Sequence, residues 1–168
     1  MKFKKPKFWD LKNPNIFAYL VSPFTVVLKL SNYFSKKRKK ELSKKIKSIC
    51  IGNIYLGGTG KTPTTIKIYE LLKNTNLKIR TAKKFYLDQK DEQIILFNKT
   101  KLITHKTRKE IFKKAIDEKC DLIIFDDGLQ DTTVDYDIKF LCFDTQNWIG
   151  NGCLIPSGPL REKLDSLK

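Results

Sequence analysis

The run Ser48-Ile49-Cys50-Ile51-Gly52-Asn53-Ile54 leads into Tyr55-Leu56-Gly57-Gly58-Thr59-Gly60-Lys61-Thr62-Pro63, and from there into a segment with helical spacing. Strand, glycine-rich turn and helix in that order are the sequence form of a phosphate cradle. Gly57, Gly58 and Gly60 open backbone angles closed to other residues. Successive N–H groups of Gly57, Gly58, Thr59, Gly60, Lys61 and Thr62 can then turn toward an anion, while the following helix adds its positive end. In such a loop Lys61 reaches the β- and γ-phosphates and Thr62 ligates Mg²⁺. The stretch therefore predicts a nucleotide site, with Mg²⁺ as an implied ligand. Tyr55 departs from the usual pattern G-x-x-x-x-G-K-[ST], which has Gly there. The bland alternative is a glycine-rich turn that binds nothing.

A second stretch fits the first. Asp121-Leu122-Ile123-Ile124-Phe125-Asp126-Asp127-Gly128 is a continuous apolar run closed by two acids. Strands covered on both faces of a parallel sheet look like this, and functional groups gather at the carboxyl ends of such strands. Asp126 and Asp127 are thus placed near the phosphate loop, where one of them would hold Mg²⁺ directly or through water. A capped surface turn is the alternative.

Between these stretches, Ile66, Ile68, Tyr69, Leu71 and Leu72 give a helix an apolar face, and Leu77 to Ala82 reads as a strand. The polar region from Lys83 to Lys101 reads as loop with a short strand at Ile94-Ile95-Leu96-Phe97. Thr107 to Glu118 reads as a helix, and Ile138 to Asp144 as another buried strand. His105, the sole histidine, reads as an exposed loop residue. The chain closes in a glycine- and proline-rich loop from Trp148 to Glu162. Strands alternating with helices predict an α/β fold: a P-loop NTPase-like parallel sheet flanked by helices, preceded by an N-terminal membrane-interface helix.

Charge separates the chain into two parts, 1–47 and 48–168. The formal net charge is +16, but residues 1–48 carry 14 Lys and Arg against Asp10 and Glu41, leaving the remainder nearly balanced. Phe8-Trp9, an apolar run from Ile16 to Leu30 broken at Ser22-Pro23, and the cluster Lys36-Lys37-Arg38-Lys39-Lys40 predict a segment that docks on an anionic membrane surface. A run of fifteen residues is too short to span a hydrocarbon core, which needs about 20. Each lysine near an anionic leaflet adds about 1 kcal/mol. A core helix with a solvated basic end is the alternative. Lysines interleaved with aromatics are lacking, so no nucleic-acid partner is expected. No small-residue cleavage site follows Leu30, which predicts no exported leader. Cys50, Cys120, Cys142 and Cys153 show neither disulfide nor metal spacing and predict a reducing compartment.

Gly52-Asn53 leading into Gly-Gly-Thr-Gly-Lys-Thr-Pro, Asp126-Asp127-Gly128-Leu129-Gln130, Gly150-Asn151-Gly152 and Pro156-Ser157-Gly158-Pro159-Leu160-Arg161-Glu162 together resemble the tetraacyldisaccharide 4'-kinases of lipid A synthesis. The resemblance covers nearly the whole chain and corresponds to the N-terminal half of the family. It implies a P-loop kinase domain over 48–168, peripheral on the cytoplasmic face of the bacterial inner membrane. The implied reaction moves the ATP γ-phosphate to the 4'-hydroxyl of a tetraacyldisaccharide 1-phosphate, a lipid A disaccharide precursor. It also implies that Asp91, in Lys90-Asp91-Glu92, takes the proton of the attacking hydroxyl, with Glu92, Gln130 and Arg161 as substrate-side residues. A membrane-associated P-loop ATPase switch and an inactive ATP-binding fragment are the alternatives.

Three departures from the family pattern stand out. Lys83-Lys84-Phe85-Tyr86 replaces its Arg-Gly-Tyr-Gly loop. Asp131 stands where it has His, changing the charge beside the metal site. The family's second half, with a histidine that pairs with the catalytic Asp, is expected either to lie beyond Lys168 in a longer enzyme or to be missing from a shortened form.

Overall fold

The computed structural model describes residues 5–27, 30, 46–86, 90–131 and 133–164. They form two compact units. One holds 46–53 and 60–142; the other holds the described residues of 1–37 together with 54–59 and 143–164.

The first unit is built on five parallel strands: β1 (Lys47–Gly52), β2 (Ile79–Lys84), β3 (Leu102–His105), β4 (Leu122–Asp126) and β5 (Ile138–Leu141). Their order across the sheet is β3-β2-β4-β1-β5. The two most apolar runs, β1 and β4, lie side by side, with Lys47 opposite Leu122 and Ile51 opposite Asp126. Alternation along the strands divides the core in two. Cys50, Ala82, Ile103, Ile123 and Phe125 pack with Ile111, Phe112 and Ala115 of the helix Arg108–Asp117. Ile49, Ile51, Ile79, Leu122 and Ile124 pack with Tyr69, Ile68 and Leu72 of the helix Lys61–Leu72. With helices on both faces, the central strands need no polar side, which is why they read as unbroken apolar runs.

The helices α2 (Lys61–Leu72), α3 (Lys90–Lys99) and α4 (Arg108–Asp117) follow β1, β2 and β3 in turn. At the start of α4 the Thr107 hydroxyl accepts from the Glu110 N–H while the Glu110 carboxylate accepts from the Thr107 N–H. This reciprocal cap explains why α4 begins where it does.

Three expectations are corrected here. Ile94 to Phe97 is part of α3, not a strand: Gln93 and Leu96, three apart, are buried, whereas Ile94, Ile95 and Phe97 are exposed. The run from Ile138 is not a buried strand either. It ends at Leu141 as an edge strand with Ile138 and Phe140 about half exposed. His105 also differs from its expected loop setting, being the last residue of β3 and half-buried.

In the second unit, α1 spans Ile16–Val21 and is followed by a single 3₁₀ turn at Ser22–Phe24. Asn15 caps α1 by accepting from the Ala18 N–H, and Pro23 sits where the regular helix gives way. Ile16, Phe17, Tyr19, Leu20 and Phe24 all expose more than half of their surface. Among the described residues no helix is long and apolar enough to cross a membrane. The cluster at Lys36–Lys40 lies outside the described residues.

Trp9, 1% exposed, fixes the rest of this unit. Its indole N–H donates to Pro156 O at 2.9 Å, and its carbonyl accepts from the Asn151 N–H at 2.9 Å. Gly150 has a φ of +57°, and a Cβ there would come within 2.2 Å of Trp9 O, so no side chain fits. The glycine-rich closing loop thus receives the Phe8-Trp9 turn. It also lines the first half of the glycine loop: Leu56 N–H donates to Pro159 O and Arg161 N–H to Ile54 O.

Candidate active site

The expected phosphate loop places Gly57, Gly58 and Thr59 in the second unit and Gly60 at the head of α2 in the first. Gly57 and Gly60 have φ values of +149° and +77°, a region that side chains other than glycine's rarely enter. A Cβ at Gly58 or Gly60 would meet nothing within 4 Å, so the space beside them is open. Thr59 is buried, yet its hydroxyl has no hydrogen-bond partner. A buried polar atom without a partner costs about 1–3 kcal/mol, so its presence beside open space fits a site that a polar ligand completes.

Gly60 ends the loop and opens α2, whose first residue is Lys61 and whose second is Thr62. Thr62 and Thr65 lie on the face of α2 turned to the sheet. On that sheet face the strand alternation runs from apolar residues to polar ends: Ile79 and Thr81 lead to Lys83, and Leu122 and Ile124 lead to Asp126. Because Ala82 lies opposite Phe125 in the β2–β4 register, the next step places Lys83 beside Asp126.

Asp126 is the hub of the site and its side chain has no exposure. One carboxylate oxygen accepts from the Thr62 hydroxyl at 3.0 Å and from Lys83 Nζ at 2.7 Å. The other accepts from Thr65 at 3.2 Å, a hydroxyl that also turns its proton toward Lys61 O at 3.0 Å. Lys83, 1% exposed, reaches on to Glu92 at 2.5 Å in the first turn of α3. Burial opposes the charge on Lys83, but the Asp126 carboxylate beside it, reinforced by Glu92, holds the ammonium above the ordinary lysine range. The group is a cation shared by two carboxylates.

Since Thr62 donates its one proton to Asp126, its oxygen lone pairs remain to face a cation. That donor set suits Mg²⁺: a hydroxyl oxygen beside carboxylates, with phosphate oxygens and water completing the shell. Among the described residues no three His, Cys, Asp or Glu side chains form a metal cage. Asp127, the residue after β4, has a φ of +63°, its N–H donating to Ile51 O.

The other expected residues take separate places. Asp91 is exposed in the first turn of α3, next to Glu92. Gln130 donates to Asn53 O at 2.7 Å, tying the loop after β4 to the end of β1. Arg161 is half-buried in the second unit. Asp131 forms an ion pair with Arg108, whose guanidinium also donates to Asp127 O at 2.7 Å. The charge that replaces the expected histidine is therefore matched inside the chain. Burial pushes the Cys50 thiol up to about 12, so it is no nucleophile.

Two residues of the hub, Lys83 and Thr65, escaped sequence analysis. A lysine near the end of a strand, between Ala82 and another lysine, resembles a solvated side chain. The available signal was positional, because a lysine on the same strand face as Ile79 and Thr81 needs a buried acid as partner.

The family model described as tetraacyldisaccharide-1-P 4'-kinase matches residues 16–81 and 81–168. This chain belongs to that family. The tetraacyldisaccharide 4'-kinase of Pelagibacter ubique is 50% identical over all 168 residues, which make up 53% of that protein. That of Rickettsia conorii is 34% identical over 96% of this chain and 55% of its own length. The chain thus spans about half the length of these curated relatives. A crystal structure of LpxK from Aquifex aeolicus in complex with ATP superposes with a TM-score of 0.73 at 20% identity, over 90% of this chain and 56% of that one. At that identity the likeness carries the fold: a parallel sheet flanked by helices, as the sequence predicts.

Proposed function

We propose that this chain carries the ATP side of a tetraacyldisaccharide 4'-kinase, transferring the γ-phosphate of ATP to the 4'-hydroxyl of a tetraacyldisaccharide 1-phosphate, a lipid A disaccharide precursor. The observation that carries the proposal is the bond from the loop hydroxyl of Thr62 to the buried carboxylate of Asp126. It joins the residue after Lys61 to the end of the strand beside β1, the arrangement that phosphoryl transfer on a phosphate loop requires. In this reading the N–H groups from Gly57 to Thr62 receive the phosphates, and Lys61 neutralises charge on them. A bound Mg²⁺ would supply positive charge against the phosphates. Thr62 would ligate it, with Asp126 orienting that hydroxyl and Asp127 near the shell. Asp91 takes the proton from the attacking sugar hydroxyl, which is a poor nucleophile until it is deprotonated. Glu92, Gln130 and Arg161 are the substrate-side residues of this proposal.

The exposed apolar side chains of α1 and Phe24 support a peripheral place on the cytoplasmic face of a bacterial inner membrane, where a lipid acceptor is met. Residues 1–47 are then the membrane-associating segment and 48–168 the kinase domain.

The test is phosphate transfer from Mg-ATP to a tetraacylated disaccharide 1-phosphate by this chain, in micelles and on anionic vesicles. Lys61→Ala is expected to abolish transfer, Asp91→Asn to lower it by about a hundredfold or more with ATP binding retained, and the protein to float with the vesicles. Full turnover by Lys61→Ala would remove the phosphate-loop assignment. ATP binding without transfer would favour the second reading, an ATP-binding fragment, which the half-length match to the relatives supports.

A further inference from the structure

We propose that Lys83 is a positioning residue of this site, which pins the first turn of α3 to Asp126 and so fixes where Asp91 is presented. The proposal rests on the kinase reading above. It starts from the cost of placing an ammonium group where Lys83 stands: 1% exposed, at the end of a strand whose neighbours on the same face are Thr81 and Ile79. A packed apolar side chain would serve the core at least as well, because burying a charge is costly and a buried ion pair is often no more stable than its apolar replacement. What the ammonium adds is connection. Its nitrogen lies 2.7 Å from Asp126 and 2.5 Å from Glu92, two carboxylates that would repel each other without it.

The three elements joined in this way carry separate parts of the proposed chemistry. Asp126 belongs to β4 and orients Thr62 of the phosphate loop. Glu92 belongs to α3 and directly follows Asp91. Successive residues on a helix are rotated by about 100°, so a turn whose Glu92 faces Lys83 holds Asp91 to one side of the pair. Glu92 is half exposed, and its bond to Lys83 holds its side chain toward the sheet. One further tie acts on the same turn: Gln93 Nε2 donates to Tyr86 O at 2.8 Å. With Lys83 lost, Asp126 keeps Thr62 and Thr65, and the nucleotide side stays ordered. The acceptor side loses its anchor. The expected defect is in turnover rather than in ATP binding.

The experiment uses the full chain with Mg-ATP and a tetraacyldisaccharide 1-phosphate. Lys83→Met is expected to lower kcat by about a hundredfold, the scale of a small misplacement of a reacting group, with KM for ATP unchanged within about twofold. Lys83→Arg, which keeps the charge, is expected to restore most of the rate. Glu92→Gln is expected to lower kcat comparably, and the Lys83→Met/Glu92→Gln double variant to be no slower than Lys83→Met alone. Loss of ATP affinity in Lys83→Met, or full turnover in Glu92→Gln, would overturn the proposal. Amide hydrogen exchange supplies a readout free of the reaction. In Lys83→Met the loss of the Asp126 counter-charge raises exchange across the unit, and the Ile94 to Phe97 amides are expected to gain by a larger factor than those of β2 and β4. Unaltered exchange in α3, or a gain there no larger than that of β2 and β4, would overturn the proposal. If the wild-type chain binds Mg-ATP without transferring phosphate, the kinase reading of this chain fails and the exchange result alone decides the role of Lys83.

Discussion

Lys83–Asp126 and Arg108–Asp131 are both pairs of a buried cation with an acid inside the sheet unit, yet they serve different ends. Asp126 is fully enclosed and accepts from Thr62, Thr65 and Lys83, so one carboxylate of β4 ties both α2 and β2 to it. Asp131 keeps about a quarter of its side chain in solvent and shares its bonds with Thr133 and Arg108, close in space to the loop it sits on. The first pair ties reactive groups together; the second shapes the loop after β4. Burial alone does not mark a functional charge. What distinguishes Asp126 is the number of separate elements that converge on it.

The sharpest way to break this contrast is Asp126→Ala. It leaves Lys83 buried with only half-exposed Glu92 as counter-charge, and removal of one partner of such a pair costs about 3–5 kcal/mol. A matching drop in unfolding free energy from urea titration is expected, and a loss under about 1 kcal/mol would show that the hub is weaker than its geometry. Thr65→Val comes next. It removes one hydrogen bond to Asp126 while keeping shape, for an expected loss of about 1 kcal/mol by the same measurement.

Asp131→Asn should have the smallest effect, and one that depends on pH. Burial pushes the Asp131 carboxyl up, but the Thr133 donors and the Arg108 guanidinium bring it below the usual carboxylate range. An acid held below its unfolded value of about 3.9 adds stability that is complete above that pH and drains away as the pH falls through the lowered value. The gap in Tm between wild type and Asp131→Asn is therefore expected to be widest near neutrality and to close below about pH 4. A gap that stays constant with pH would mean the carboxylate charge plays no part.

The legible parts of this fold were those whose local pattern and tertiary role agree. Apolar β1 and β4, the loop between β1 and α2, and α4 were visible because strand length, glycine placement and the apolar spacing of Ile111, Phe112, Ala115 and Ile116 each point one way. Ile94 to Phe97 misled because four consecutive apolar residues form too short a window to separate a strand from a helix. The buried Leu96 beside exposed Ile95 and Phe97 decides it only once the sheet is in place. Ile138 to Asp144 misled for the opposite reason: an edge strand can carry the same residues as a central one. In the site, Thr62 and Asp126 announced themselves by motif. Lys83 did not, because its partner lies 43 residues away in sequence and becomes its neighbour only through the β2–β4 register.

Tyr55 carries one more consequence. In place of the glycine usual there, the buried Tyr55 bridges Leu160 through its backbone, and its hydroxyl donates to Asp10 at 2.7 Å while accepting from Lys5 at 2.9 Å. The opening residues are therefore the floor beneath the leading half of the glycine loop. Trimming the first ten residues to improve expression would remove that floor along with the greasy helix's doorstep, and a nucleotide-binding defect in such a shortened protein would report on missing masonry rather than on a membrane requirement.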